Sequence, residues 1–215
     1  MIDSLLRARQ DAFWDRLGRV LAARGITADA VTIAAMFLSA TNSLAFLVHR
    51  NPLVYGLLLA LTELLDNVDG AVARVSGRKT KYGSFLDAAT DRYKEALSLF
   101  VVCWVTGYWV VGFAAVTGSL LVSYHHARAS MEGAPPTATG VDLFERFERV
   151  ATLVLGLVLT PFLPPGIFFG ESALFGALVV IAVFSHLTAI QRLWRARRVL
   201  KDLDRAASPP RDPSR

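Results

Sequence analysis

Asp66, Asp69, Asp87 and Asp91 are the residues of this chain best placed to do chemistry. They lie in Asp66-Asn-Val-Asp69-Gly70-Ala-Val-Ala73-Arg74 and, eight residues further on, in Gly83-Ser-Phe-Leu-Asp87-Ala-Ala-Thr-Asp91. Gaps of three and four residues put side chains on one face of a helix. Asp66, Asp69 and Ala73 therefore share one stripe, and Asp87 shares another with Asp91. If the two helices pack antiparallel, the carboxylates converge. Converging negative charge is costly unless a cation lies between. An all-oxygen donor set suits a hard divalent ion such as magnesium or manganese. Gly70 and Ala73 leave room for a ligand to approach the backbone, and Gly83 opens the second helix. Arg74 can fork onto a phosphate. A pair of solvated acidic helix ends is the bland alternative, but the flanking sequence is apolar and membrane-like. Glu63, one turn before Asp66, and Glu95, one turn after Asp91, read either as supports for a cation or as isolated polar packing residues.

The elements that must position these groups are apolar helices. The chain has 215 residues, of which 53% are hydrophobic, and a mean hydropathy of +0.43. Several apolar runs approach bilayer-spanning length. The expected fold class is an all-α integral membrane protein with six transmembrane helices, preceded by an N-terminal interfacial amphipathic helix. Residues 1–25 form that juxtamembrane helix, with Leu6, Phe13, Leu17, Val20 and Leu21 on its apolar face. Residues 26–200 form the catalytic membrane domain, and 201–215 a basic tail with the composition of a disordered segment from Ser208 onward. The spans begin near Val31, Leu53, Tyr82, Val110, Val150 and Ser172. Gly107-Tyr108-Trp109 reads as an interfacial turn in an aromatic belt.

Charge sets the expected orientation. The net charge is +5, which invites a nucleic-acid partner. The basic residues instead flank apolar spans. Arg16, Arg19, Arg24, Arg78, Lys79, Lys81, Arg128, Arg146, Arg192 and Arg195 fall on one side, and Arg50 on the other. Both termini and the aspartate site are thus expected on the cytoplasmic face of the cell membrane, with no nucleic-acid partner. The single cysteine, Cys103, excludes an intramolecular disulfide and a cysteine metal site. The first 25 residues are amphipathic and charged, unlike a cleavable signal peptide.

The full signature, D-x-x-D-G-x-x-A-R-x8-G-x-x-x-D-x-x-x-D, resembles that of the CDP-alcohol phosphotransferase family of membrane enzymes. The resemblance implies a homodimer of six-span protomers. Such enzymes transfer a phosphatidyl-type group from a CDP-linked lipid to an alcohol acceptor and release CMP. It implies that Asp66, Asp69, Asp87 and Asp91 hold one or two Mg2+ or Mn2+ ions. It implies Asp91 as the general base on the acceptor hydroxyl. Asp66, Asp69, Gly70, Ala73, Arg74 and Gly83 then bind the CDP group.

A second region speaks to the acceptor. Ser123-Tyr-His-His-Ala-Arg128-Ala and Glu145-Arg146-Phe-Glu-Arg149 resemble the corresponding segments of the phosphatidylinositol-phosphate and archaetidylinositol-phosphate synthase branch. That resemblance makes inositol phosphate the expected acceptor, with Arg128, Arg146 and Arg149 on its phosphate. His126 stands where that branch usually has lysine or arginine, and Ser130 where it usually has glutamate. Glycerol phosphate, serine or another polyol phosphate remain the alternatives within the same chemistry. Two other classes share parts of the pattern. A membrane prenyltransferase also uses aspartate-rich helices with magnesium, but in two well-separated places. An ion or proton transporter also carries intramembrane carboxylates, but near the midplane rather than at one face.

Overall fold

A computed structural model describes residues 2–135, 142–164, 166 and 172–207. The expected tail residues 208–215 and the side chain of Leu6 lie outside the described part. Among the described residues there are seven helices and no strand. They are α1 (Ile2–Ala23), α2 (Ala28–His49), α3 (Pro52–Val75), α4 (Lys81–Thr106), α5 (Trp109–Met131), α6 (Arg146–Leu159) and α7 (Ala173–Ala207).

The helix starts are legible as caps, in which a side-chain oxygen takes an otherwise unpaired backbone N–H. Thr27 accepts from Ala30 N at 3.2 Å to open α2. Asn51 accepts from Leu53 N and Val54 N at 3.1 and 3.2 Å, ahead of Pro52 in the first turn of α3. Glu145 opens α6 with a capping box, its own N–H reaching Glu148 at 2.9 Å. Helix α7 runs through Ala207, so the first part of the expected tail, 201–207, is helical. Leu, Arg, Lys and Ala there are strong helix formers, and Arg205 pairs with Asp202.

Three helices among the described residues are long and apolar enough to cross a membrane: Ala28–His49, Trp109–Met131 and the stretch Ala173–Ala206. The other three expected spans fall short for identifiable reasons. Helix α3 carries Glu63, Asp66, Asp69 and Arg74, and α4 carries Asp87, Asp91, Arg92, Lys94 and Glu95. Helix α6 has 14 residues; at 1.5 Å per residue it reaches about 21 Å, against a hydrocarbon core of about 30 Å. Many large apolar side chains face outward, among them Phe37, Leu57, Phe113 and Leu155. Trp104 and Trp109 meet edge to face beside the α4–α5 turn, both about half exposed.

Helix α2 packs against both α3 and α4, and α3 also packs against α1 and α6. Helix α5 lies along α7, which also receives α6. The antiparallel contact expected between α3 and α4 is not among these close pairs. Instead both pack against α2, and a cavity lies between them. The apolar core fills the other half of the bundle, around Phe46, Tyr55, Leu59, Leu99, Leu157 and Leu178. Phe46 and Tyr55 stack with centroids 4.4 Å apart, and the Tyr55 hydroxyl lies 3.1 Å from Ser43 Oγ.

Candidate active site

Thr80 caps α4 by accepting from Gly83 N at 2.9 Å, which fixes where the second aspartate stripe begins. A Cβ on Gly83 would lie 3.0 Å from Asp29 Oδ1 on α2 and from Thr80 Oγ1. That glycine lets α4 enter close to α2. Gly70 is different, since a Cβ there would meet only Arg74 Nη1 at 3.5 Å. Room beside Gly70 is thus available to a ligand rather than taken up by packing.

The aspartates surround two cavities. The larger, about 540 Å³, is lined by Glu63, Asp66, Asn67, Asp87, Asp91 and Arg146 on its polar side. Leu64, Phe147, Val150 and Val154 make its apolar wall. The smaller, about 260 Å³, is lined by Asp69, Gly70, Ala73, Gly83 and Asp87 from the motif. Asp29 and Thr32 of α2 and the basic loop residues Arg78 and Lys79 complete it. Asp87 lines both cavities and stands at their junction.

The carboxylates of the larger cavity are held by two cations, of which Arg146 lines the cavity and Lys94 lies buried behind the lining. Lys94 Nζ donates to Asp66 Oδ1 and Oδ2 at 2.5 and 2.6 Å and lies 3.2 Å from Asp91 Oδ1. Arg146 Nη2 lies 2.6 Å from Glu63, 2.9 Å from Asp66 and 3.0 Å from Asp91. The contacts to Asp91 lack hydrogen-bond geometry, so its buried Oδ1 has no donor. In the smaller cavity Asp69 accepts from Thr32 Oγ1 at 2.6 Å.

The four arginines expected at the site take four different places. Arg74 turns toward α1, donating to Asp15 Oδ1 from Nε and Nη2 at 3.2 and 3.0 Å. Arg146 enters the larger cavity. Arg149 is buried and bidentate on Glu95, at 2.5 and 3.2 Å. The Ser119 hydroxyl also donates to Glu95, and Arg92 lies 3.3 Å away. Arg128 is exposed and pairs with Glu132, the residue just past the end of its own helix. Of the three acceptor candidates, then, the structure brings Arg146 alone to the aspartates.

Lys94 was not foreseen, because a lysine one turn after Asp91 looks the same as a lysine at any helix position. Asp29, Thr32, Arg78 and Lys79 were also missed as site residues. Their signal is weak, since a cap-flanking acid and a basic loop recur at many membrane helix ends. Glu63 and Glu95, ambiguous in the sequence, both accept arginine.

Among the described residues no three acidic, histidine or cysteine groups stand together as a metal site. Lys94 and Arg146 pair with Asp66 and Asp91. The donor set nonetheless fits a hard divalent ion. It is all oxygen, Asp91 Oδ1 is buried without a donor, and Asp87 faces both cavities.

Comparison with known proteins gives a consistent result. A family model for CDP-alcohol phosphatidyltransferase matches residues 25–190. The archaetidylinositol phosphate synthase of Pyrococcus horikoshii is 32% identical over 193 residues, covering 87% of this chain and 92% of that protein. The phosphatidylinositol phosphate synthase of Mycobacteroides abscessus is 31% identical over 188 residues, covering 84% of this chain and 82% of that protein. The crystal structure of the Mycobacterium tuberculosis phosphatidylinositol phosphate synthase with CDP-DAG bound superposes with a TM-score of 0.74 at 25% identity, covering 85% of this chain and 92% of that one. The same enzyme in complex with manganese and citrate gives a TM-score of 0.75 at 25% identity, covering 86% and 88%. With every signature residue but Arg74 lining two cavities that share Asp87, and with these likenesses over most of its length, the chain belongs to the CDP-alcohol phosphatidyltransferase family.

Proposed function

We propose that this protein transfers a phosphatidyl-type group from a CDP-linked lipid to a hydroxyl of inositol phosphate and releases CMP in phospholipid biosynthesis. The observation that carries the reading is the junction at Asp87. A polar space with Arg78 and Lys79 opposite the motif glycines and a half-apolar space share that residue among the motif aspartates. The likeness to inositol phosphate synthases over most of the chain supports the choice of acceptor.

In this reading the CDP group occupies the smaller cavity. Gly70, Ala73 and Gly83 give it room, and Arg78 and Lys79 face its phosphates. Arg74 binds it from the side of α1. Asp66, Asp69, Asp87 and Asp91 would hold one or two Mg2+ or Mn2+ ions. A bound ion would neutralise the pyrophosphate and the charge that develops on the departing CMP. The acceptor enters the larger cavity with its phosphate toward Arg146. Asp91 takes the proton from its hydroxyl. The hydroxyl oxygen bonds to the lipid-side phosphorus as the bond from that phosphorus to the CMP oxygen breaks. Arg149 acts through its grip on Glu95, and Arg128 extends the positive rim.

The remaining architecture follows the same reading. Residues 26–200 form a six-span domain in the cell membrane, and α1 lies at its cytoplasmic surface. The active site and both termini face the cytoplasm, and two copies associate. The test is a panel of acceptors offered to the full-length protein in lipid, with CDP-diacylglycerol or its ether analogue as donor. CMP release with inositol phosphate, lost on chelation, is expected. Release with only serine or glycerol phosphate reassigns the acceptor. No release with any alcohol overturns the reading.

A further inference from the structure

We infer that Lys94 is a positioning residue: a built-in cation that holds Asp66 and Asp91 at a set separation across the α3–α4 cleft and competes with a divalent ion for them. The inference rests on the reading of these aspartates as metal ligands.

Four observations carry it. Lys94 lies three residues after Asp91, so the two share a face of α4 and are 3.2 Å apart. Its ammonium also crosses the cleft to both oxygens of Asp66, at 2.5 and 2.6 Å. Because α3 and α4 are not a closely packed pair, this is a direct bond from one aspartate stripe to the other. The side chain is 2% exposed. A lysine is almost never buried without a partner, and one so enclosed acts through the carboxylates rather than on a substrate. Finally, Arg146 approaches the same two aspartates from α6. Lys94 therefore adds nothing that acceptor binding needs. Lys94 is not among the residues that line the larger cavity, whereas Arg146 is.

The residue type suits the task. An ammonium is a compact point charge with three donors on a flexible stem, so it can sit between two carboxylates and draw back along its own chain. A guanidinium needs a broad planar slot. With Lys94 in place, Asp66 and Asp91 do not repel each other outward. A dication arriving at Asp66 must share that carboxylate with a like charge a few ångströms away. Lys94 thus weakens metal binding while keeping the base in line with the cleft.

The test uses the full-length protein in lipid nanodiscs, stripped of metal and titrated with manganese by electron paramagnetic resonance, beside steady-state kinetics. Lys94→Met keeps the volume and removes the charge. It should bind manganese about tenfold more tightly yet turn over about tenfold more slowly, with the KM for the CDP-lipid unchanged. Lys94→Arg keeps the competing charge and should not bind manganese more tightly than the wild type does. A residue that served packing alone would lower the melting temperature without tightening metal binding. Should the methionine variant not fold, Lys94→Gln is read the same way. Manganese binding unchanged or weaker in the neutral variant overturns the role of Lys94. No manganese binding by the wild type overturns the metal reading beneath it.

Discussion

Asp91 and the two arginines of α6 show how neighbouring residues in one motif separate by role. Asp91 lines the larger cavity, its Oδ1 3.0 Å from Arg146 and 3.2 Å from Lys94, and a carboxylate so placed can take the proton of a hydroxyl bound in that cavity. Asp91→Asn keeps the shape and removes the basicity. Turnover should fall by about 10²-fold or more while CMP binding, read by calorimetry, is retained; near-normal turnover would remove Asp91 as the base. Arg146 and Arg149 look alike in the sequence, three residues apart. Arg146 reaches the cavity, whereas the Arg149 side chain is 2% exposed and paired with Glu95. Arg146→Ala should raise the KM for a phosphorylated acceptor and leave the fold intact. Arg149→Ala strands a buried carboxylate and should cost about 3–5 kcal/mol of stability, seen as a large drop in melting temperature. The reverse pattern would exchange their roles.

At the scale of elements, α1 is joined to the catalytic helix more closely than an interfacial anchor needs to be. A Cβ on Gly18 would fall 2.9 Å from the backbone carbon of Ala71 and 3.1 Å from Val72 N. The glycine therefore lets α1 lie directly on the motif half of α3, where Asp15 holds Arg74. Gly18→Val should push the two helices apart at a cost of about 1–3 kcal/mol. It should weaken CMP binding as well, because Arg74 loses its support; binding at wild-type strength would show that Arg74 needs no help from α1. This contact was not legible in the sequence. A glycine inside an amphipathic helix reads as a weak point, and nothing in its spacing names the partner. What was legible rests on local rules. The aspartate stripes follow from gaps of three and four, and the structure adds that Thr27, Asn51 and Thr80 cap the helices that follow them. The arrangement of α3 and α4 was not legible, since it depends on each packing against α2. The fate of Arg74, Arg146 and Arg149 depends on acids that lie 50 or more residues away, on other helices.

Across the whole molecule the helices alternate between two ends with opposite chemistry. At one end Arg192 of α7 meets Asp142 and donates to Val122 O of α5 at 2.7 Å, and the aspartate cleft lies with the capped starts of α2, α4 and α6. At the other, Tyr108 meets Ser172 at 3.3 Å and packs against Phe175, close to the tryptophan pair. Basic residues gather at the first end, and Arg50 is the lone one in the turns of the second. Such asymmetry sets orientation during insertion, because loops rich in lysine and arginine stay in the cytoplasm. It also fits the proposed chemistry, in which lipid tails remain in the bilayer while nucleotide and acceptor come from the cytoplasmic water. A thiol scan tests it with little background, since Cys103 is buried. Arg50→Cys in intact cells should react with a membrane-impermeant maleimide. Lys201→Cys, exposed near the end of α7, should react only after permeabilisation. Labelling of both from outside, or of Lys201→Cys alone, would place the aspartate cleft on the wrong side for its substrates and undo the cytoplasmic assignment.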